Sequence, residues 1–309
     1  MIARRVFFEN FDFQKAEKKF SFQFSGIFCY NYIQMNFKKN LAEKIALQYG
    51  AIKRARGCFL YTEKRARLTD LCQENGRAIL GWGAKGTFTI LKNVLDRGIT
   101  GSFLTDFSVK NAKYKSQLSR AVTELFAGDR TAFVFSSKAD ALKAALLISP
   151  EKTSFFRPWS PAGVDWRLID CIVFAPALPW TDNIFVLAAK SGLVCGDDLK
   201  TPKIDFEAES ELPSPVCAAV TRSVYDLIKA LQEREEKDWF IYDKIVAKYW
   251  TRKGPYLFPK VPEEKYWDFV LHCLGCGLVV SPDFKEPSIV PFGADFGVFR
   301  GLEKNPFVF

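Results

Sequence analysis

Phe133–Ser149, FVFSSKADALKAALLIS, is the stretch from which the rest of the chain is read. Phe133, Val134 and Phe135 form a short apolar run of the kind a buried strand needs. Two serines follow, and Ala139, Leu142, Ala145 and Leu146 then recur at helical spacing. Ser136 or Ser137 can cap the first turn, whose free N–H groups point beyond the strand end. A strand feeding a helix N-terminus, with hydroxyls at the junction, is a natural place to hold a phosphate. The same residues also make an ordinary β-turn-α junction with a serine cap, so the residues alone leave both readings open.

The stretch resembles the strand, Gly-Ser/Thr turn and E-A-N-E-A-A-L-K helix of the class III aminotransferases, which are fold-type-I pyridoxal-phosphate enzymes. In that family the turn grips the cofactor phosphate, which makes Ser136, Ser137 and Lys138 the candidate cofactor-binding residues here. The turn glycine is missing, and Lys138 stands where the family has a small or acidic residue. A second likeness lies in GAIKRARGCFLYTEKRARLTDLCQENGRAILGWG, residues 50–83. Gly57, Leu60, Tyr61, Leu68, Asp70, Gly76, Leu80 and Gly81 match the family's entry segment, with Trp82 in place of its histidine. Cys58–Tyr61 and Arg67–Leu71 read as a hairpin joined by the polar Thr62–Arg65.

Working outward, helices are expected over Asn40–Tyr49, around Phe88–Val94 and over Gln117–Phe126, the last stopped by Gly128. Phe155–Ser160, Asp170–Pro176 and Ile184–Ala189 read as strands running to loops. A helix opens at Ser214, taken as its cap, with Pro215 in the first turn and a stripe of Val216, Val220, Val224, Leu227 and Leu231. Its opening is similar to the family's N-P-L-A-C-A-A-A-L-A-V-L helix. Glu233–Trp250 is expected to be a surface helix, Glu263–Leu274 an amphipathic one, and Gly277–Ser281 and Ser288–Pro291 strands. The resemblance runs from about Leu41 to Pro291. It implies an α/β, fold-type-I transferase architecture with a contracted, mostly parallel sheet. The large domain would span 86–230, and a smaller α/β lobe would come from 35–85 and 231–309. Residues 1–34, with eight phenylalanines and no period, are expected to be an extension or upstream sequence, with Met35 as the natural start.

Composition fits a soluble globular protein: 309 residues, 48% hydrophobic and 26% charged. No apolar run is long enough to cross a bilayer, and Glu9, Asp12 and Lys15 interrupt any secretory signal, so a cytoplasmic location is expected. The net charge of +9 resides wholly in residues 1–67, which hold 14 Lys/Arg and 5 Asp/Glu. Without an aromatic-studded or Gly-rich motif beside them, Lys53, Arg54, Arg56, Lys64, Arg65 and Arg67 read as a solvated face rather than a nucleic-acid patch. Cys273-Leu-Gly-Cys276, beside the sole histidine His272, has no second ligand pair for zinc and sits at the wrong end of a helix for a reactive thiolate. No metal is expected.

Pyridoxal-phosphate chemistry needs a lysine to hold the cofactor and an anion at the ring nitrogen. Leu187–Leu193, LAAKSGL, is similar to the family's L-A-K-G-L-G-G, which makes Lys190 the candidate catalytic lysine. No aspartate ends any apolar strand before it, and the tract between Pro150 and Ser214 is much shorter than its family counterpart. Two readings follow. In one, a contracted enzyme binds pyridoxal phosphate through Ser136, Ser137 and Lys190 and performs transamination on a small amino compound. In the other, which we prefer, catalysis is lost and the fold persists as a pseudoenzyme, a homodimeric binding or scaffold protein.

Overall fold

The computed structural model describes residues 40–101, 103, 105, 107, 116–161, 163–180, 183–195, 206, 209–240 and 242–309. The proposed start at Met35 and the phenylalanine-rich extension lie outside these residues. Helix α1 (residues 40–49) leads into strands β1 (Ile52–Arg56), β2 (Phe59–Thr62) and β3 (Arg67–Asp70). Then come α2 (Lys85–Asp96), α3 (Gln117–Phe126), β4 (Arg130–Phe135), α4 (Lys138–Ile148), β5 (Thr153–Phe155), β6 (Cys171–Phe174), β7 (Phe185–Lys190), α5 (Ser191–Val194) and the long α6 (Ser214–Glu233). The chain closes with α7 (Lys237–Phe240), α8 (Asp243–Val246), β8 (Trp250–Lys253), β9 (Tyr256–Pro259), α9 (Glu263–Gly275), β10 (Leu278–Val279), β11 (Ser288–Ile289) and α10 (Arg300–Lys304).

The central sheet has the order β4-β7-β6-β5. β4, β6 and β5 share one direction, and β7 runs against them between β4 and β6. The expectation of a mostly parallel sheet therefore holds for strand direction, but only the β5–β6 ladder is parallel. Both faces are covered, which is why these strands read as unbroken apolar runs rather than alternating ones. Ala132, Val134, Ile172, Phe174, Val186 and Ala188 pack on the face of α3 and α6. Phe133, Phe135, Cys171, Val173, Leu187 and Ala189 pack on the face of α4. The outer edge of β4 is met by Glu209 and Ser210, which bond back to Phe135 and Val134. That contact closes an otherwise open strand edge.

A second sheet, β1-β2-β3-β10, joins the two ends of the chain, since β10 pairs parallel with β3. A third, β11-β9-β8, lies beside it in sequence. Their shared core gathers Leu41, Ile45, Leu68 and Leu71 with Trp250, Phe269, Leu278 and Phe299. Here Glu233–Trp250 departs from the expected surface helix. Trp239, Tyr242, Tyr249 and Trp250 are buried, and the tract breaks into two four-residue helices before entering β8. Those rings need burial on more sides than one helix face provides. Ser214 also differs from its expected role: Pro213 holds the N-cap position of α6, and the Ser214 hydroxyl meets Thr105 Oγ1 at 2.8 Å. Among the described residues no helix is long and apolar enough to cross a membrane.

Candidate functional site

The carboxyl ends of β4, β5 and β6 all open at one end of the central sheet, and in open α/β sheets ligands bind at that end. Ser136 and Ser137 lie there, directly after Phe135. Ser137 Oγ accepts from the N–H groups of Ala139 and Asp140 at 3.1 and 3.3 Å, so it is the N-cap of α4 and its oxygen is engaged with the helix. Ser136 is exposed. Lys138, the first helical residue, pairs with Glu286 at 3.3 Å and lies 4.6 Å from the centre of the Phe155 ring. Arg157, just beyond β5, holds the other oxygen of Glu286 at 2.8 Å. One carboxylate from the loop between β10 and β11 thus bridges two cations at the strand ends.

Further cations gather at this end. Arg234, after α6, donates to the Ile79 carbonyl at 2.9 Å and stacks 3.7 Å from the centre of the Phe292 ring and 5.3 Å from that of Trp159. Burial pulls its guanidinium down to about 10. Arg77 is 4% exposed and lies 4.9 Å from the centre of the ring of Phe185, the register partner of Phe135. Trp159 adopts a φ of 56°, an uncommon conformation for a bulky residue. Its carbonyl comes so close to Gly254 that a Cβ there would meet it at 2.2 Å. None of Arg77, Arg157, Arg234 or Glu286 carries a signal in sequence, because no motif frames them. FFRPW marks only a strand that ends.

Lys190 is placed elsewhere. It ends β7 and pairs in register with Arg130 at the start of β4, five residues from the Phe135–Phe185 pair. At about 3.3 Å per residue, the strand alone separates Lys190 from the Ser136–Ser137 turn by roughly 16 Å. Its Nζ donates to Asp170 Oδ1 at 2.7 Å, and its N–H bonds the Asp170 carbonyl at 2.9 Å. The Lys190 hydrogen bond holds the Asp170 carboxyl below the usual range, helped by Ser149. The structure therefore does not bring Lys190 and the serine turn together. The loops leaving β5 and β6 at the ligand end, residues 156–170 and 175–184, contain no lysine.

The entry segment carries its own substitution. Trp82, at the position of the family's histidine, donates Nε1–H to Asp70 Oδ2 at 2.7 Å. Asp70 also accepts from the N–H groups of Cys72 and Gln73, and burial pushes it up to about 6 despite these donors. Gly57 and Gly81, both at positive φ, let the two backbones meet as an isolated bridge between Gly57 and Trp82. A Cβ on Gly81 would sit 3.3 Å from Gly57 Cα. Cys273 is buried and its thiol is raised well above its ordinary value, first by burial. No group of three potential metal ligands occurs among the described residues.

Comparison with solved structures settles the architecture. Ornithine δ-aminotransferase of Plasmodium falciparum superposes with a TM-score of 0.57 at 12% identity, over 88% of this chain and 96% of that one. Acetylornithine aminotransferase of Elizabethkingia anophelis gives 0.58 at 14%, over 84% and 97%. An omega-transaminase of Sphaerobacter thermophilus gives 0.57 at 11%, over 86% and 97%. The chain has an aminotransferase fold. In sequence it is similar to an uncharacterized protein of Treponema pallidum, 26% identical over 290 residues, covering 80% of this chain and 91% of that protein. It is also similar to an uncharacterized protein of Borreliella burgdorferi, 27% identical over 260 residues, covering 82% and 88%. No family model matches the chain.

On this aminotransferase fold, the donor set only half fits pyridoxal phosphate. The α4 N-terminus, Ser136 and Lys138 suit a phosphate. Lys190, the lysine that the resemblance offered, lies at the other end of β7, and Ser137 Oγ is engaged with the α4 N–H groups.

Proposed function

We propose that this protein is a shortened, divergent relative of the class III aminotransferases that has lost pyridoxal-phosphate catalysis and works as a homodimeric protein binding a small ligand. The observation that carries this reading is the position of Lys190, at the far end of β7 from the Ser136–Ser137 turn and ion-paired with Asp170. A lysine must reach the cofactor held at the strand ends for covalent chemistry to begin. What remains at those ends is a binding surface: a helix N-terminus, an exposed serine and four cations beside aromatic rings. Dimerisation rests on the family resemblance alone. Trp82, Trp159 and Trp180 are partly buried against the chain's own cores and add no separate argument for a partner.

Absorbance spectroscopy tests the reading. Purified protein mixed with pyridoxal phosphate and then dialysed is expected to show no band above 400 nm attributable to a lysine-bound cofactor. A band that survives dialysis and disappears in Lys190→Ala overturns it and makes the protein an enzyme.

A further inference from the structure

Arg77 is the one fully buried arginine of the strand-end cluster, and its polar edge is unfilled. Nε and Nη2 are both buried and neither has a hydrogen-bond partner. These two N–H groups lie along one edge of the planar guanidinium. They are the pair that grips both oxygens of a carboxylate or phosphate in a parallel fork. The chain uses that same edge elsewhere. Arg167 sets Nε and Nη2 on the two oxygens of Asp165, at 2.9 Å each. Arg252 does the same with Asp243, at 2.5 and 2.9 Å. In Arg77, the most buried of the three, the fork has nothing to hold.

A buried guanidinium without an acceptor is costly, and an anion arriving from outside would offset that cost. No carboxylate of the described residues lies within ion-pair distance of Arg77 or of its neighbour Arg234, and Glu74 acts on Arg77 only at longer range. Glu286, the carboxylate found at this end, is already shared by Lys138 and Arg157. Phe185 lies against the guanidinium face and is paired with Phe135, which places the empty fork at the same sheet end as Ser136. Phe292 and Trp159 flank Arg234, which donates to the carbonyl of Ile79, two residues after Arg77.

We infer that the Nε–Nη2 edge of Arg77 receives the carboxylate or phosphate group of a small organic anion whose apolar body lies against the aromatic rings at the strand ends. This rests on the reading of those ends as a ligand site. It does not depend on whether a lysine can bind pyridoxal phosphate.

The test is thermal unfolding of the full chain titrated with inorganic phosphate and with benzoate, at constant pH and ionic strength against chloride. The wild-type transition is expected to rise saturably with at least one probe. Arg77→Lys, which keeps the charge and loses the fork, is expected to weaken that response at least tenfold. Arg77→Met is expected to abolish it while melting no lower than wild type without probe, since it removes an uncompensated charge and still covers Phe185. If Arg77→Met does not fold, Arg77→Lys decides. A wild type indifferent to both probes, or variants that respond like it, overturns the inference. So does a transition that depends on protein concentration and on neither probe, which would put a partner chain's carboxylate in the fork. The readout contains no pyridoxal phosphate, so a lysine-bound cofactor band would refute the loss of catalysis and leave this result standing.

Discussion

A single residue sets the acid response of the entry segment. Asp70 is buried and accepts from Trp82, Cys72 and Gln73, yet burial raises it from an ordinary 3.8 to about 6. Its folded value lies above its unfolded one. Its contribution to stability is therefore fully present below about pH 4 and is lost as pH rises through 6, up to ~3 kcal/mol for a shift of this size. Asp70→Asn carries no titrating group. The stability of wild type minus that of Asp70→Asn, from urea unfolding, is thus expected to be larger at pH 4 than at pH 7. A difference that is constant, or that grows with pH, would show the three donors outweighing burial. The residue scale also divides what sequence can reveal from what it cannot. A cap at Ser136 or Ser137 was legible because a hydroxyl at a strand-to-helix junction can accept the free N–H groups of the first turn, and the structure gives that place to Ser137. Arg77 was not, because its signal is the absence of a partner, and partners 100 or more residues away exist only in three dimensions.

Among elements, the central sheet is tied at its far end by Arg130. This side chain is 1% exposed and donates to the carbonyls of Trp166 and Ile169 at 2.8 Å, Ala188 at 3.2 Å and Asp170 at 3.3 Å. It joins β4 and β7 to the turn that enters β6, and Lys190 and Asp170 lie beside it. Arg130→Met is expected to leave several buried carbonyls without donors and cost ~3–5 kcal/mol by urea unfolding. A loss under ~1 kcal/mol would show that water takes over these acceptors. The elements themselves were readable wherever one period dominated. α3 falls on Gln117–Phe126 as its pattern requires, β7 falls within a residue of its apolar run, β6 stops two residues short of Pro176, and β4 begins at Arg130, three residues before the run Phe133–Phe135. The β8–β9 hairpin was missed because Trp250 closes a tract of charges and rings that mimics a helix face. The distance of Lys190 from the serine turn was hidden for a related reason: LAAKSGL matches a family segment locally, while the direction of β7 within the sheet is a property of pairing.

For the whole molecule, the chain has the fold of the aminotransferases it superposes on, with a group of cations at the strand ends and Lys190 at the opposite end of β7. If the protein assembles as the resemblance implies, light scattering at micromolar concentration gives twice the chain mass of 35.2 kDa. A monomer would remove the basis for any site shared between subunits. The central proposal, that catalysis is lost and no lysine of the chain holds pyridoxal phosphate, is tested most directly by chemical trapping. The full-length protein is incubated with one equivalent of pyridoxal phosphate, reduced with borohydride, digested and mapped by mass spectrometry. The account expects no stoichiometric pyridoxyl-lysine, at Lys190 or anywhere else. A single lysine carrying the label at close to one per chain would contradict it.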